Sequence, residues 1–361
     1  MTRNRIFITG LGMIAATGIG IDQYTEDTAP REIQTYSTEG LVVKQACAVA
    51  PEFSIKDFSR KIGVIRKERM SQLTVAACVD AATNAGLTEL LPSERIGLIL
   101  STEYGPTNTV VKYLTQLEKN GAGDVSPNLF TQTVYNVASG QASIQLQTKG
   151  VSSTLVGCSS ISYALDLLQD NRADIVLAAG VDELSHGVHS RDEASGVLRP
   201  DSGFLLGEGC GVVVLEREDS ARKRQARILG ELIDCVNLSA PSMKKEYSDF
   251  NETGDDVFYK AYYRLLKAHH LKPGDISCVS LADNGVIKIS ETENASLDRI
   301  GFQGKRAVPK KHFGEAYGAD EQFAVIHALK DPSVSGKVWI DSLYVNGNAC
   351  VLYIEKGDGD V

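Results

Sequence analysis

The sequence predicts a layered α/β fold, and three observations carry that prediction. Short apolar runs of strand character alternate with longer runs of helical periodicity along the whole chain. The 361 residues are 43% hydrophobic, enough to bury a sizeable core in two domains or one large one. No apolar run reaches the roughly 18 residues that a membrane-spanning helix needs, so the apolar runs are expected inside layers.

In chain order, strands are predicted at Ile6–Thr9, Ile96–Ser101, Ser152–Val156, Ile175–Gly180 and Cys210–Leu215. A second set follows at Ile228–Leu232, Cys278–Leu281, Val338–Ile340 and Ala349–Ile354. Helices are predicted over Ser71–Ala85, Thr107–Lys119, Val134–Leu146, Ser160–Asp170, Asp255–His270 and Asp320–Leu329, with Gly86 capping the first just past its apolar periodicity. Gly10, Gly12 and Gly18 break the opening apolar run, which reads as strand, turn and helix start and not as a signal peptide. Gln23–Gly40 and Lys244–Gly254 are polar and read as surface loops. The charge cluster at Glu216–Ala221 marks a boundary between halves 1–218 and 219–361.

The most informative stretch is Val151–Leu165, VSSTLVGCSSISYAL. A buried strand breaks at Gly157, and Ile161, Ala164, Leu165 and Leu168 then recur at helical spacing, so Cys158 falls at a strand-to-helix elbow. The positive end of a helix lowers the pKa of a thiol from its usual value of about 8.5 and so makes a nucleophile. The alternative stays open, since cysteine also serves as a small buried hydrophobe.

Charge and composition exclude several classes. A net charge of −9 argues against a nucleic-acid partner, which needs a basic face. One basic run, Lys56–Arg69, is a candidate dock for an acidic partner or simply a solvated face. Seven cysteines without a C-x-x-C pair fit reduced thiols in a cytoplasmic protein. The pair His269-His270 reads as a solvated helix end with no second ligand cluster nearby, so no metal is expected. Glycines between Gly203 and Gly211 lead into a strand and not into a helix, which rules out a dinucleotide fingerprint. Glu208 reads as an ion-pair partner or an acid supporting the site, and Asp182 and Glu183 sit at the end of a strand where ligands gather in α/β sheets.

Several segments in order resemble the β-ketoacyl synthase family: ITGLGMIAATG (Ile8–Gly18), SPNLFTQTVYNVASGQASIQLQTKG (Ser126–Gly150), CSSISYAL from Cys158, GFLLGEGCGVVVLE (Gly203–Glu216) and SARKRQARILGELI (Ser220–Ile233). The resemblance implies a thiolase-like layered fold of two related halves, with Cys158 as the acyl-carrying nucleophile. It also implies substrates carried on the phosphopantetheine of an acyl carrier protein, with no cofactor bound directly.

The chain departs from that pattern where the family's condensing enzymes place two histidines. The strand segment DISCVSLADNGV (Asp275–Val286) leads to Asp283 in place of the first. The second position is open between Glu315, by matching Lys310 and Gly314, and His312, by matching the following helix without a gap. Decarboxylative condensation needs neutral donors at the developing enolate oxygen. An ionised carboxylate about 4 Å away, at an effective dielectric near 20, costs about 4 kcal/mol, or roughly three orders of magnitude in rate.

Two more departures accompany this one. SLYVNGNAC (Ser342–Cys350) rewrites the family's glycine-rich gating loop without its phenylalanine, and the stretch between Ser185 and Gly203 is short. Together they make the chain resemble a chain-length factor of a type II polyketide or aryl-polyene system, which pairs with an active ketosynthase subunit as a heterodimer and shapes the product tunnel. Ser126–Asn136 is then expected at that interface. Retention of Cys158 keeps a rival open, a self-sufficient acyltransferase or condensing enzyme using His312 with Asp283 or Glu315. A carrier-protein binding module is the third reading.

Overall fold

The computed structural model describes residues 4–26, 31–36, 42–59, 68–91, 93–194, 196, 204–239 and 257–357. Its frame is a large mixed sheet built as two copies of one five-strand pattern. The first half contributes Ile6–Ala15, Ile96–Thr102, Ser152–Val156, Ile175–Asp182 and Gly209–Arg217; the second contributes Gly230–Ser239, Cys278–Ser280, Lys305–Ala307, Gly336–Leu343 and Asn348–Lys356. Numbered in chain order and counted outward from the seam, each set lies side by side as 1-5-4-2-3. In both sets the first two pairings are antiparallel and the last two parallel. The seam is an antiparallel pairing of the two first strands, Ile6 opposite Leu232 and Ile8 opposite Gly230.

Alternation along the strands decides what each face covers. Ile99, Val176, Ala178, Val213 and Leu215 face a core shared with the helices Ser160–Gln169 and Asp320–Lys330. Leu98, Leu100, Leu177, Ala179, Val212 and Val214 face the helices Arg69–Asn84 and Val137–Leu146 on the other side. Helix Val257–Ala268, with Leu297 of helix Ile287–Ile300, covers the corresponding face of the second half. Every residue from Glu321 to Leu329 is buried, as befits a helix enclosed by protein. Each core helix follows the third strand of its half.

The opening strand runs on to Ala15, correcting the expected turn at its glycines. A Cβ on Gly10 would sit 2.5 Å from the Cβ of Ala85, and one on Gly12 would sit 2.4 Å from the Ala77 carbonyl. These glycines therefore admit the covering helix and do not break the strand. Strand Arg31–Tyr36 corrects the reading of Gln23–Gly40 as loop throughout; it pairs with Val42–Ala48 in a small sheet that also holds Leu206–Gly207. The helix expected from Val134 starts at Val137, after a separate turn of helix at Pro127–Phe130. The strand expected at Ile228–Leu232 is Gly230–Ser239. Lys244–Gly254 and residues 60–67 of the basic run lie outside the described residues. Within them, none of the seven cysteines is paired, and no helix is long and apolar enough to cross a membrane.

Candidate active site

Strand Ser152–Val156 ends at Gly157, whose φ of +65° is in the region that favours glycine. A Cβ there would lie 2.3 Å from Asn346 Nδ2. Cys158 follows, and Ser159 caps the helix Ser160–Gln169 by accepting the Ser162 N–H at 2.9 Å. The Ser159 hydroxyl also donates to Glu321 Oε2 at 2.8 Å, and Ser101 Oγ donates to the Cys158 carbonyl at 2.7 Å. The elbow is thus fixed from both sides while Cys158 itself stays exposed. It opens on a cavity of about 420 Å³ lined by Leu155, Ser162, Tyr163, Leu238, Tyr344 and Asn348, among others.

The segment that replaces the glycine-rich gate grips this elbow. Asn346 and Asn348 both donate to the Gly157 carbonyl, at 2.9 and 3.0 Å, and Asn348 Nδ2 lies 3.6 Å from Cys158 Sγ. Buried Tyr344 donates to Glu321 Oε1 at 3.2 Å. Burial pushes the Cys158 thiol up from its ordinary value, Asn348 opposes this, and the nearby Glu103 carboxyl adds to it. That direction corrects the expectation of a thiol acidified by the helix. Cys158 precedes the cap, and the Ser159 hydroxyl takes the N–H that would otherwise face an anion.

The second half supplies the facing loops. Asn284, buried just beyond strand Cys278–Ser280, donates through Nδ2 to Glu315 Oε2 at 2.6 Å. Lys310 Nζ lies 2.9 Å from Glu315 and 2.7 Å from Asp320, all three side chains being at least nine-tenths buried. Burial pushes Glu315 up, but the Lys310 charge and hydrogen bonds from Asp320, Lys310 and Asn284 outweigh it and hold Glu315 below the usual carboxylate range. Burial and the Glu315 charge push Asp320 well above that range, with Lys310 opposing.

Two expected site residues do not take part in this arrangement. Asp283 is only half-buried, and its Oδ1 accepts the Gly285 N–H at 2.9 Å, closing its own turn. Asn284 is the side chain that this turn sends to Glu315. The side chain turned inward here is therefore that of Asn284, and the buried carboxylate it meets is Glu315. His312 Nδ1 donates to the Glu26 carbonyl at 2.9 Å and its ring stacks on His327 with centroids 5.5 Å apart, so its ring belongs to a different cluster.

Three acids that sequence reasoning left without a role surround the elbow. Glu103, just past strand Ile96–Thr102, accepts the Val345 N–H at 3.3 Å. Burial, with the Asp182 and Glu315 charges, raises Glu103 to about 8. Burial raises Glu321 to about 7. Asp182 accepts from Thr102 Oγ1, from the N–H groups of Glu103, Tyr104 and Gly105, and from that of Gly318, which ties two loops together; burial nevertheless holds it at about 6. Its place just past the predicted strand Ile96–Ser101 was the signal for Glu103. Glu208 pairs with Arg69 at 2.7 Å, so this end of the basic run is engaged in an ion pair and is not a free dock. His269 pairs with Asp234 at 2.8 Å, whereas His270 is exposed, so of the pair expected at a solvated helix end only the second is.

Cys158, Glu103, Asn284, Glu315 and Tyr344 all follow the carboxyl ends of strands, where ligands bind in open α/β sheets. Two matching five-strand halves with a cysteine elbow define the thiolase-like ketosynthase fold. The chain belongs to the β-ketoacyl synthase family: the model of the Beta-ketoacyl synthase, N-terminal domain matches residues 3–221. A 3-oxoacyl-[acyl-carrier-protein] synthase 2 of Staphylococcus aureus (strain COL) is 27% identical over 354 residues, covering 84% of each chain. One of Rhizobium meliloti (strain 1021) is 26% identical over 338 residues, covering 82% of this chain and 77% of that one.

Among solved structures, the ishigamide ketosynthase/chain length factor superposes with a TM-score of 0.83 at 23% identity, over 99% of this chain and 100% of that chain. The AntDE:AntF structure, a type II PKS acyl-carrier protein in complex with its ketosynthase bound to the hexaketide, gives 0.78 at 17% identity, over 99% and 100%.

Proposed function

We infer that this chain is a ketosynthase-like chain-length factor, a partner subunit that pairs with an active β-ketoacyl synthase and shapes the tunnel receiving the growing chain. One observation carries the reading. The loops that should present neutral donors to an enolate present instead the ionised Glu315, and the Asn284 amide is spent on it. A developing oxyanion there would find the Asn284 amide already committed to a carboxylate, and the Cys158 thiol is raised, so neither half-reaction is favoured.

The outer surface supports assembly. Strand Ser152–Val156 lies at the edge of the sheet, and Val156 is 47% exposed. Phe130, Val134 and Tyr135, from the segment expected at the interface, are exposed, as is Ile144 of the helix packed beside that edge. An apolar edge of this kind is a ready template for pairing. The substrate would be an acyl chain on the phosphopantetheine of an acyl carrier protein, docked on the partner, and the complex would work in the cytoplasm.

The test is co-expression with the neighbouring ketosynthase. One-to-one copurification, lost on Val156→Lys, is expected, with condensation by the complex but not by the isolated chain. Product formation should survive Cys158→Ala in the complex. Extension of an acyl thioester from malonyl carrier protein by the purified single chain would overturn the reading and favour the rival. That rival, a Cys158-dependent acyltransferase, is favoured by the exposure of the thiol on its cavity.

A further inference from the structure

Glu26, His312 and His327 come from three separate parts of the chain and meet away from Cys158 and its cavity. Glu26 follows the first hairpin, His312 lies in the short helix Lys310–Phe313, and His327 lies in the core helix Asp320–Lys330. One ligand-type atom from each falls within 4.8 Å of the other two. Glu26 Oε1 and His327 Nε2 are 3.4 Å apart. A tetrahedral ion with bonds of about 2.1 Å holds its ligand atoms roughly 3.4 Å from one another. One edge already has that length, and the widest separation the cluster allows exceeds it by about 1.4 Å, within the reach of a side-chain adjustment.

One of the two imidazoles is already oriented by the backbone. A carbonyl oxygen only accepts, so the 2.9 Å contact to the Glu26 carbonyl puts the proton of His312 on Nδ1 and its lone pair on Nε2. A ring N–H held by a backbone carbonyl is how proteins orient an imidazole that binds metal through its other nitrogen. His327 is 5% exposed and turns Nε2 toward Glu26, while its Nδ1, on the far side of the ring, has no hydrogen-bond partner among the described residues. The nearby ammonium of Lys305 is engaged by Asp331 at 2.5 Å.

We propose that Glu26, His312 and His327 form a binding site for one divalent first-row transition ion of the zinc type, with water in the fourth position. Two imidazoles and a carboxylate suit zinc, cobalt or nickel better than magnesium or calcium. Bound there, the ion ties Glu26 of the first half to the core helix of the second half. Glu26 stands 286 residues from His312, so no spacing in the sequence reveals the site.

The full-length chain, stripped with chelator, is titrated with cobalt(II). One equivalent should bind with the visible absorption of a four-coordinate ion and no sulfur charge-transfer band, and zinc should displace it. Glu26→Gln, at an exposed position, and His312→Ala, at a half-buried one, should each weaken binding at least tenfold, while Cys158→Ala should leave it unchanged. The thermal midpoint should rise with zinc in the parent chain and not in His312→Ala. Absence of stoichiometric binding, equal binding by these two variants, or loss of binding in Cys158→Ala would each overturn the proposal.

Discussion

Asn284 Nδ2 donates to Glu315 Oε2 across 2.6 Å and so joins the loops that follow the second and third strands of the second half. The same Glu315 carboxylate is paired with Lys310, which also holds Asp320. A polar knot therefore sits where the two loops converge, and its charges are out of reach of water.

Removing the cation from that knot should be more damaging than removing either acid. Lys310→Met leaves two buried carboxyls to share what protons they can, and a loss of about 4 kcal/mol is expected. In Lys310→Met/Glu315→Gln one of those carboxyls is gone, and part of the loss should return. Urea denaturation of the two variants and the parent measures both effects.

Glu103 makes stability fall as pH rises. Its folded value of about 8 lies above the ordinary carboxylate value, so the folded chain keeps a proton that the unfolded chain releases. The stabilisation is complete below the unfolded value and disappears as pH passes through 8. Between pH 7 and 9 this one group should remove about 1.4 kcal/mol. Glu103→Gln should flatten that part of the profile, as read from denaturation midpoints across the range.

Cys158 should react slowly with iodoacetamide at neutral pH, at a rate that climbs with pH, because burial disfavours its thiolate. Asn348→Ala removes the donor 3.6 Å from Sγ and should slow alkylation further. Glu103→Gln should speed it at pH 8.5, where the parent carboxyl is largely ionised. Mass spectrometry of time-quenched samples follows all three; a fast, pH-independent rate at pH 7 would contradict the direction given for the thiol.

Two glycine substitutions should differ in sign. Gly157→Ala puts a Cβ at φ +65° and 2.3 Å from Asn346 Nδ2, and a loss of about 2 kcal/mol is expected. Gly140, inside helix Val137–Leu146, has nothing within 4 Å of the corresponding position, so Gly140→Ala should stabilise by about 0.5–1 kcal/mol. Thermal or chemical denaturation of the isolated chain compares them.

Much of the frame could be read from the letters, because strand runs such as Ile175–Asp182 are apolar on both faces and the elbow at Gly157 is local. The identical strand order of the halves could not be read, since it depends on long-range pairing between segments without shared residues. The site was legible at Cys158 and, as one of two options, at Glu315. Glu103, Asn284, Glu321 and Asn348 escaped because each acts through a partner far away in the chain, Asn348 reaching Cys158 across 190 positions. Asp283 was reached by matching Asp275–Val286 to the family pattern, whereas which of two adjacent side chains points inward is decided by the turn.

The shared 1-5-4-2-3 order makes Cys158 and the Lys310–Asp320 segment counterpart corners of a duplicated blueprint, each placed between the third strand of its half and the buried helix that follows. Since every half finishes its own strand set before meeting its twin at Ile6 and Leu232, one corner can exchange its chemistry without disturbing the architecture of the other. A scaffold of this kind lends itself to division of labour, with a silent copy preserved as a shaping wall for a working one.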